Sequence, residues 1–446
     1  MTENPRLQAV YALVKVLGQQ QTLDQALAQD TPPLVRELVA GSLRHYFSLS
    51  ERIDELLTRK LRSKDLDVRC LMLVGAYQLL HTRIPDHAAV AETVGSTKQL
   101  KKPWAKGLVN AVLRNLPPPT EEWSPAALHD HPHWFINLLR NSLPEHWSQV
   151  IEANNSRAPM TLRVNSAKIK PADYVELLKS NNIEFEPGAL PETIHLTTPR
   201  AQTKLPGYED GLVSVQDAAA QLAVRVATGG AEASSGLRVL DGCAAPGGKG
   251  FHLFEQLQQN GEGIALHMHD LSQARVQTLN EQAGRLGHLS AKGVHIAQSD
   301  SSTQAAQEEA PYDLILLDAP CSGSGTVRRH PDIKVLRDQH DLKALNKTQN
   351  ALLDALWTRL APGGRLIYST CSLFQEENDE IIQAFIERNQ DSSRHTGGSR
   401  VQVGAIAGRL PQHERTPFIS THHGIQTLPT VEGGDGLYYA ELIAST

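Results

Sequence analysis

The stretch that most limits what this chain can fold into is Val239-Leu240-Asp241-Gly242-Cys243-Ala244-Ala245-Pro246-Gly247-Gly248-Lys249. Leu237-Arg238-Val239-Leu240 reads as a buried strand that stops at an acidic residue and opens into a glycine-rich turn. After Lys249, Phe251, Leu253, Phe254 and Leu257 return at helical spacing, so the unit is strand, glycine loop, helix. Such a loop lets a ligand approach backbone N–H groups at a helix N-terminus, which suits a nucleotide-type cofactor. Two common loops of this class do not fit. A P-loop wants four residues between its glycine and Gly-Lys-Ser/Thr, whereas five separate Gly242 from Gly248-Lys249 and Gly250 stands where the hydroxyl belongs. Gly242, Gly247 and Gly248 also fail the G-x-G-x-x-G dinucleotide spacing.

The run from Asp241 to Lys249 resembles motif I of the S-adenosylmethionine-dependent RNA cytosine-C5 methyltransferases, a pattern close to D-x-C-A-A-P-G-G-K-T. Every position matches except the last, where Gly250 replaces Thr. The resemblance implies that Cys243, Ala244, Ala245, Pro246, Gly247, Gly248 and Lys249 wrap the methionine end of S-adenosylmethionine.

At 446 residues the chain is too long for one ordinary core, and two or three domains are expected. No signal peptide and no membrane-length apolar run is recognisable, and Cys70, Cys243, Cys321 and Cys371 form no CxxC pair. A cytoplasmic protein without disulfides or a structural zinc site is expected. The net charge of −6 hides an asymmetry: residues 1–119 hold 16 Lys+Arg against 11 Asp+Glu, and the remainder 27 against 38. A basic front end is compatible with a phosphate-bearing partner, although a solvated helical face would look the same.

Residues 5–116 read as all helix, with Leu7, Val10, Tyr11, Val14 and Leu17 setting the first stripe and further stripes through 113. Asp86 after Pro85 is the expected N-cap of one helix, and Cys70 lies in an apolar run that reads as core. Arg44-His45-Tyr46, Lys98, Lys101-Lys102, Trp104 and Lys106 mix basic and aromatic groups, as RNA contacts require. Pro85-Asp86-His87-Ala88-Ala89-Val90 and Gly107-Leu108-Val109-Asn110-Ala111-Val112-Leu113-Arg114 are similar to the NusB-type RNA-binding domain. Pro117-Pro118-Pro119 marks a linker. Helical stretches follow, then strand candidates Thr161–Val164 and Thr193–Leu196 with a helix over Ala172–Leu178, a small α/β subdomain within 120–205. The stretch Gly211–Asp217 leads into a helix over Ala218–Ala227.

Beyond residue 206 strands alternate with helices: Gly263–Asp270, Gly293–Gln298, Tyr312–Leu317 and Arg365–Tyr368 follow the first strand. Their apolar character is that of a parallel sheet covered on both faces, whose ligands sit at the carboxyl ends of its strands. Asp241, Asp270, Asp300, Asp318 and Cys371 all fall at such ends. The expected architecture is α/β: an all-α NusB-like domain (1–119), the linker and small α/β subdomain (120–205), and a Rossmann-like methyltransferase domain with a parallel-rich sheet (206–446).

Cytosine C5 is a poor nucleophile, and adding a thiolate at C6 makes it enamine-like. That chemistry needs a cysteine, a carboxyl group on the N3 side and help in breaking the adduct. Asp318-Ala319-Pro320-Cys321-Ser322 and Ser369-Thr370-Cys371-Ser372 each place a thiol just past a strand end in a polar loop. Spacing does not say which attacks. By resemblance Cys371 is the nucleophile and Cys321 assists release, Asp318 faces cytosine and cofactor, Asp270 binds ribose hydroxyls, and Asp300 lies on the adenine side. Arg328 and Arg329 match a basic segment that would contact RNA phosphate. His395, His413, His422 and His423 lack partners at ligand spacing and are read as surface residues, with no metal expected. Segment 391–425 is read as a loop insertion, and Asp435-Gly436-Leu437-Tyr438-Tyr439 as a turn into a final strand. Two departures, Gly250 and Ser299 (for the usual Gly before Asp300), remove no catalytic atom and are expected at most to alter cofactor affinity.

Nearly the whole chain resembles the bacterial 16S rRNA cytosine-C5 methyltransferases of the RsmB (Sun/Fmu) type. The expected partners are therefore 16S rRNA and S-adenosyl-L-methionine, with a monomer as the working form. The same chemistry on tRNA or another rRNA site is the nearest alternative, and a non-catalytic ribosome-assembly factor is the alternative of another class.

Overall fold

The computed structural model describes residues 4–28, 30–229, 236–260, 264–289, 291–303, 310–389 and 400–445. Gly263, expected to open a strand, and His395 lie outside them. The chain divides into two compact units: Met1–Arg157 with Val327–Gln339, and Ala158–Thr326 with His340–Thr446.

The first unit is helical, and Leu66–His81 is its axis. This helix is apolar on every side, and Val68 and the run Cys70–Gln78 are all buried, as a helix without a polar face must be. Around it pack Pro5–Gln19, Pro33–Arg44, Tyr46–Leu56, Asp86–Gln99 and Ala105–Arg114. Asn4 caps the first of these by accepting a hydrogen bond from the Arg6 N–H at 2.9 Å. Asp86 does not act as an N-cap: its helix starts one residue earlier than expected, Pro85 takes the cap position, and Asp86 contributes its charge to the first turn. The helices Pro125–His129, His133–Ser142 and Trp147–Asn155, downstream of the proline linker, belong to this unit too.

The segment Val327–Gln339, which follows the Pro-Cys loop in the chain, is also part of it. Arg328 is 1% exposed and its carbonyl accepts from Arg44 Nη2 at 3.1 Å. A guanidinium sealed in this way does not present itself to an RNA phosphate, which corrects the expectation for that residue. Arg44 is buried with it, and His45 stacks on His81 and meets Asp130 at 3.0 Å. Of the basic and aromatic groups singled out above, Lys98, Lys101, Trp104 and Lys106 are the exposed ones.

The second unit holds two sheets. The smaller is antiparallel and is built from β1 (Met160–Val164), β2 (Phe185–Pro187), β3 (Thr193–Leu196) and β4 (Val213–Val215) in the order β2-β3-β1-β4. One helix, Pro171–Ser180, covers it through Tyr174 and Leu178. The larger sheet contains β5 (Arg238–Asp241), β6 (Ala265–Asp270), β7 (Val294–Gln298), β8 (Tyr312–Asp318), β9 (Leu360–Thr370), β10 (Val401–Val403), β11 (Phe418–Ser420), β12 (Ile425–Thr427) and β13 (Tyr438–Ala444).

Its order is β11-β12-β13-β9-β8-β5-β6-β7, with β10 also pairing with β13. The pairs among β5 to β9 are parallel, and β13 joins β9 antiparallel. This is a doubly wound, Rossmann-like core whose order reverses at β5, the place where such sheets open a crevice. Strand β5 is buried at Val239, Leu240 and Asp241, as its apolar run requires. By contrast β7 is the sheet's edge and leaves His295, Ala297 and Gln298 exposed, so it is not apolar throughout. Within 400–425, the short strands β10 and β11 occupy what reads in sequence as loop, and β12 begins at its end.

Candidate active site

The parallel strands bring their carboxyl ends together, and the expected residues follow. Strand β5 ends at Asp241, and the loop 242–247 turns into the helix Gly248–Asn260. Gly247 makes that turn with φ +98°, and a Cβ there would meet the Phe251 ring at 2.3 Å. The loop is tied down on both sides. The Gly242 N–H bonds to the Leu316 carbonyl, and the Ala244 N–H bonds to the His269 carbonyl, both at 2.9 Å. The Ala245 N–H points at Asp270 Oδ2 at 3.3 Å, and Arg275 Nη2 donates to the Ala245 carbonyl at 2.7 Å.

Asp270 closes β6, fixed also by the Ser272 N–H and by Arg275 Nε at 3.3 Å. Next to it Leu271 is 68% exposed, an apolar face beside a carboxylate. Asp300 follows β7 and is exposed, and its Oδ1 accepts from the Ser302 N–H and hydroxyl. Asp318 ends β8 and is held by two partners: Lys249 Nζ at 2.6 Å from Oδ2 and the Ser369 hydroxyl at 2.9 Å from Oδ1. Burial disfavours the Lys249 charge, but Asp318 outweighs it, and the ammonium ends above its ordinary value.

Past the ends of β8 and β9, Cys321 Sγ and Cys371 Sγ stand 3.3 Å apart, both half-buried. Contact with Cys371, and then burial, drive the Cys321 thiol well above its ordinary range. The thiol of Cys243 lies in the glycine loop, where burial and then the charge of Asp241 push it up to about 12. A thiol held there stays protonated at neutral pH and is a poor nucleophile.

Reasoning from sequence missed three features. Asp241 is 2% exposed with Oδ1 unpartnered, and burial together with Asp318 pushes its carboxyl up to about 7. The departure at Gly250 bears on it, because a Cβ at that position would lie 2.6 Å from Asp241 Oδ2. The second is Arg163 on β1, 1% exposed, which donates to the Gly248 carbonyl at 2.9 Å and pairs with Glu255. It lines a cavity of about 220 Å³ with Tyr208, Gln216, Gly247, Gly248 and Arg285. The third is Glu377, buried between the two cysteine loops. Its signal was available: each cysteine is followed by a serine, Ser322 and Ser372, and a pair of buried hydroxyls needs an acceptor. Among the described residues, no three His, Cys, Asp or Glu side chains converge as a metal would require, and no helix is long and apolar enough to cross a membrane.

Comparison with known proteins decides the family. Residues 232–443 match the model of the 16S rRNA methyltransferase RsmB/F, residues 131–203 its ferredoxin-like domain, and residues 3–117 the NusB family. The ribosomal RNA small subunit methyltransferase B of Pseudomonas syringae pv. tomato is 40% identical over 454 residues, covering 99% of this chain and 97% of that protein. The chain belongs to the ribosomal RNA small subunit methyltransferase B family. The family's protein from Citrobacter koseri is 37% identical, with 99% of each chain covered. Among solved structures, PH0851 superposes with a TM-score of 0.77 over 99% of both chains at 20% identity, which speaks for the fold. NSun6 from Pyrococcus horikoshii, solved with SFG, covers 72% of this chain and 100% of its own at a TM-score of 0.59 and 18% identity. Membership of the methyltransferase B family makes the chain an rRNA methyltransferase, with a NusB-type front end, a ferredoxin-like subdomain and a Rossmann-like catalytic core.

Proposed function

We propose that this methyltransferase transfers a methyl group from S-adenosyl-L-methionine to carbon 5 of one cytosine in 16S rRNA, through a covalent bond between Cys371 and cytosine C6. The observation that carries the reading is the 3.3 Å approach of two thiols at the ends of adjacent parallel strands, beside Asp318. A lone buried cysteine is a common packing residue. Two in contact, half-exposed, next to a carboxylate paired with Lys249, form a reaction centre.

The residues present fit the methyl donor. The glycine loop opens onto the N-terminus of the helix Gly248–Asn260, Asp270 at the end of β6 would accept from ribose hydroxyls, and the exposed Leu271 offers the apolar surface an adenine needs. Cys243 to Lys249 would hold the methionine end, with Asp300 toward the base. When bound, the donor supplies an electrophilic methyl group.

The chain does the rest. The Cys371 thiolate adds to C6, and the electrons of the C5–C6 double bond move toward N3, which takes a proton that Asp318 holds there by hydrogen bonding. C5 is then nucleophilic and takes the methyl group. Transfer of the C5 proton to a water molecule in the site acting as base restores the C5–C6 double bond and expels Cys371 as the thiolate. Cys321, its sulfur 3.3 Å from that of Cys371, is the residue that assists this release.

The test is incubation of the enzyme and donor with 16S rRNA, with assembling subunits and with a tRNA pool, followed by nucleoside analysis. 5-Methylcytidine in the 16S arm is expected. Its appearance only in the tRNA arm, or a different methylated nucleoside, would overturn the substrate or the chemistry. In Cys371→Ser the product is expected to vanish. In Cys321→Ser an RNA–protein adduct stable to denaturation is expected.

A further inference from the structure

Cys321 and Cys371 sit on separate loops, and nothing in a strand end obliges two such loops to bring their sulfurs into contact. Glu377 lies between them, within the short turn Gln375–Glu377, and is 0% exposed. Its Oε1 accepts from the Ser322 N–H at 2.8 Å and from Gln349 Nε2 at 3.1 Å. Its Oε2 accepts from the Ser322 hydroxyl at 2.5 Å and the Ser372 hydroxyl at 2.6 Å. Four donors on two oxygens is the full complement of an acceptor-only carboxylate.

The donors have a fixed polarity. The Ser322 hydroxyl receives the Ser324 N–H at 3.3 Å, and the Ser372 hydroxyl receives the Phe374 N–H at 3.1 Å. Each hydroxyl therefore takes a backbone proton from its own loop and passes its own proton to the shared carboxylate. Gln349 also donates to the Pro320 carbonyl, and the Tyr368 hydroxyl donates to the Glu377 carbonyl at 2.8 Å. One side chain thus holds the residue after Cys321 and the residue after Cys371.

We propose that Glu377 is the positioning residue of the dithiol centre: it clamps Ser322 and Ser372 to one carboxylate and so sets the distance between Cys321 and Cys371. It bonds to neither sulfur and acts through the two serines, with Gln349 bracing it against the Pro320 carbonyl. Buried charge-assisted bonds of this kind are strong and directional, so the clamp defines a geometry as well as adding stability. The catalytic consequence rests on the two-thiol reading above, whereas the placement of the sulfurs does not.

Phenylarsine oxide measures that placement directly. It condenses with two neighbouring thiols, forming two As–S bonds and releasing one water, with no change in oxidation state. The full-length enzyme is treated with it and the Cys321 and Cys371 peptides are weighed, with Cys70 and Cys243 as internal controls. Wild type is expected to bridge Cys321 and Cys371. Glu377→Ala is expected to slow bridging by about tenfold or more, as loss of charge-assisted hydrogen bonds on both loops implies. Glu377→Gln, which keeps the reach and one acceptor, is expected to recover part of the rate. Ser372→Ala removes its loop's bond to the clamp, and Ser322→Ala removes one of its loop's two while the backbone N–H remains. Both are expected to slow bridging while folding normally, Ser372→Ala the more, so the question is answered even if Glu377→Ala is insoluble.

On the methylation side the same variants are expected to lose kcat while KM for the methyl donor is unchanged. Bridging at the wild-type rate in Glu377→Ala, or in both serine variants, would overturn the proposal and leave the methyl-transfer reading intact. Bridging that falls as expected, in an enzyme that makes no 5-methylcytidine, would overturn that reading and leave the clamp.

Discussion

The centre of the helical unit and the carboxyl edge of the large sheet contain the same kinds of reactive side chain and treat them in opposite ways. Cys70 lies in the middle of the apolar helix Leu66–His81, fully buried, with its thiol pushed up to about 12 by burial. Lys334, 1% exposed in the same unit, donates to the Arg44 carbonyl and to Asn155 Oδ1, and burial pushes its ammonium down to about 7. At the sheet edge Cys321 and Cys371 are half-buried and in contact, and the Asp318 side chain is 37% exposed. Residue type does not decide reactivity. A helix buried on all sides seals what it carries, while the switch point of a parallel sheet leaves its strand ends open and lets loops converge there.

The sharpest way to break the contrast is to remove the sulfur in both places. Cys371→Ser is expected to reduce turnover by at least about 10⁴-fold, because a serine hydroxyl at neutral pH is not an adding nucleophile. Cys70→Ala is expected to leave kcat unchanged and to lower stability by about 1–2 kcal/mol through a small cavity. Single-turnover methylation and urea denaturation measure the pair, and an activity loss in Cys70→Ala would end the distinction. Asp318→Asn comes next. It removes the charge that Lys249 pairs with and the group facing the base, and kcat is expected to fall about 10²–10³-fold. An unchanged kcat would move the acid–base role elsewhere.

Lys334 sharpens the other side. Its folded-state pKa is depressed, so between about pH 7 and about pH 10 the unfolded chain binds more protons than the folded one. Below that window the cost of burying the cation is fully present, and stability attributable to Lys334 rises as pH rises through it. Asp130, which favours the charge, and Arg44, which opposes it, are the ionised groups facing it. Relative to Lys334→Met, wild type is expected to gain up to roughly 1.4 kcal/mol per pH unit between about pH 7 and about pH 9. Parallel stability curves would show that the lysine keeps its proton inside the fold across this range and that burial does not depress it.

How far the sequence could be read follows from the same physics. The glycine loop, the acids at strand ends and both cysteines are local signals, each a short run with its own punctuation, and the structure gathers all of them at one edge of the sheet. What escaped are interactions between segments far apart in the chain. Glu377 sits in an acidic run, Glu376-Glu377-Asn378-Asp379, that reads as solvated surface and is buried because hydroxyls 55 and 5 residues away need an acceptor. Arg328 reads as a phosphate contact for the same reason. Nothing local reveals that Val327–Gln339 is built into the helical unit, where Asp332 accepts the Leu23 N–H at 3.0 Å and Lys334 reaches Asn155.

Asp241 provides the smallest effect and the subtlest test. It stands at the sheet edge yet is sealed like the groups of the helical unit, with Oδ1 unpartnered and its carboxyl pushed up to about 7 by burial and by Asp318. The neighbouring charges are Asp318 and Asp270, which oppose ionisation, and Lys249, which favours it. A carboxyl raised in the folded state makes the folded chain bind more protons between about pH 4 and about pH 7, so stability falls as pH climbs through that window and the full cost persists above it. Asp241→Asn keeps the shape and removes the charge. It is expected to match wild type at about pH 4 and to exceed it by about 1–2 kcal/mol or more near pH 8, read from urea midpoints at the two values. A variant less stable than wild type at the higher pH would mean that the ionised carboxylate is held by partners strong enough to offset its burial.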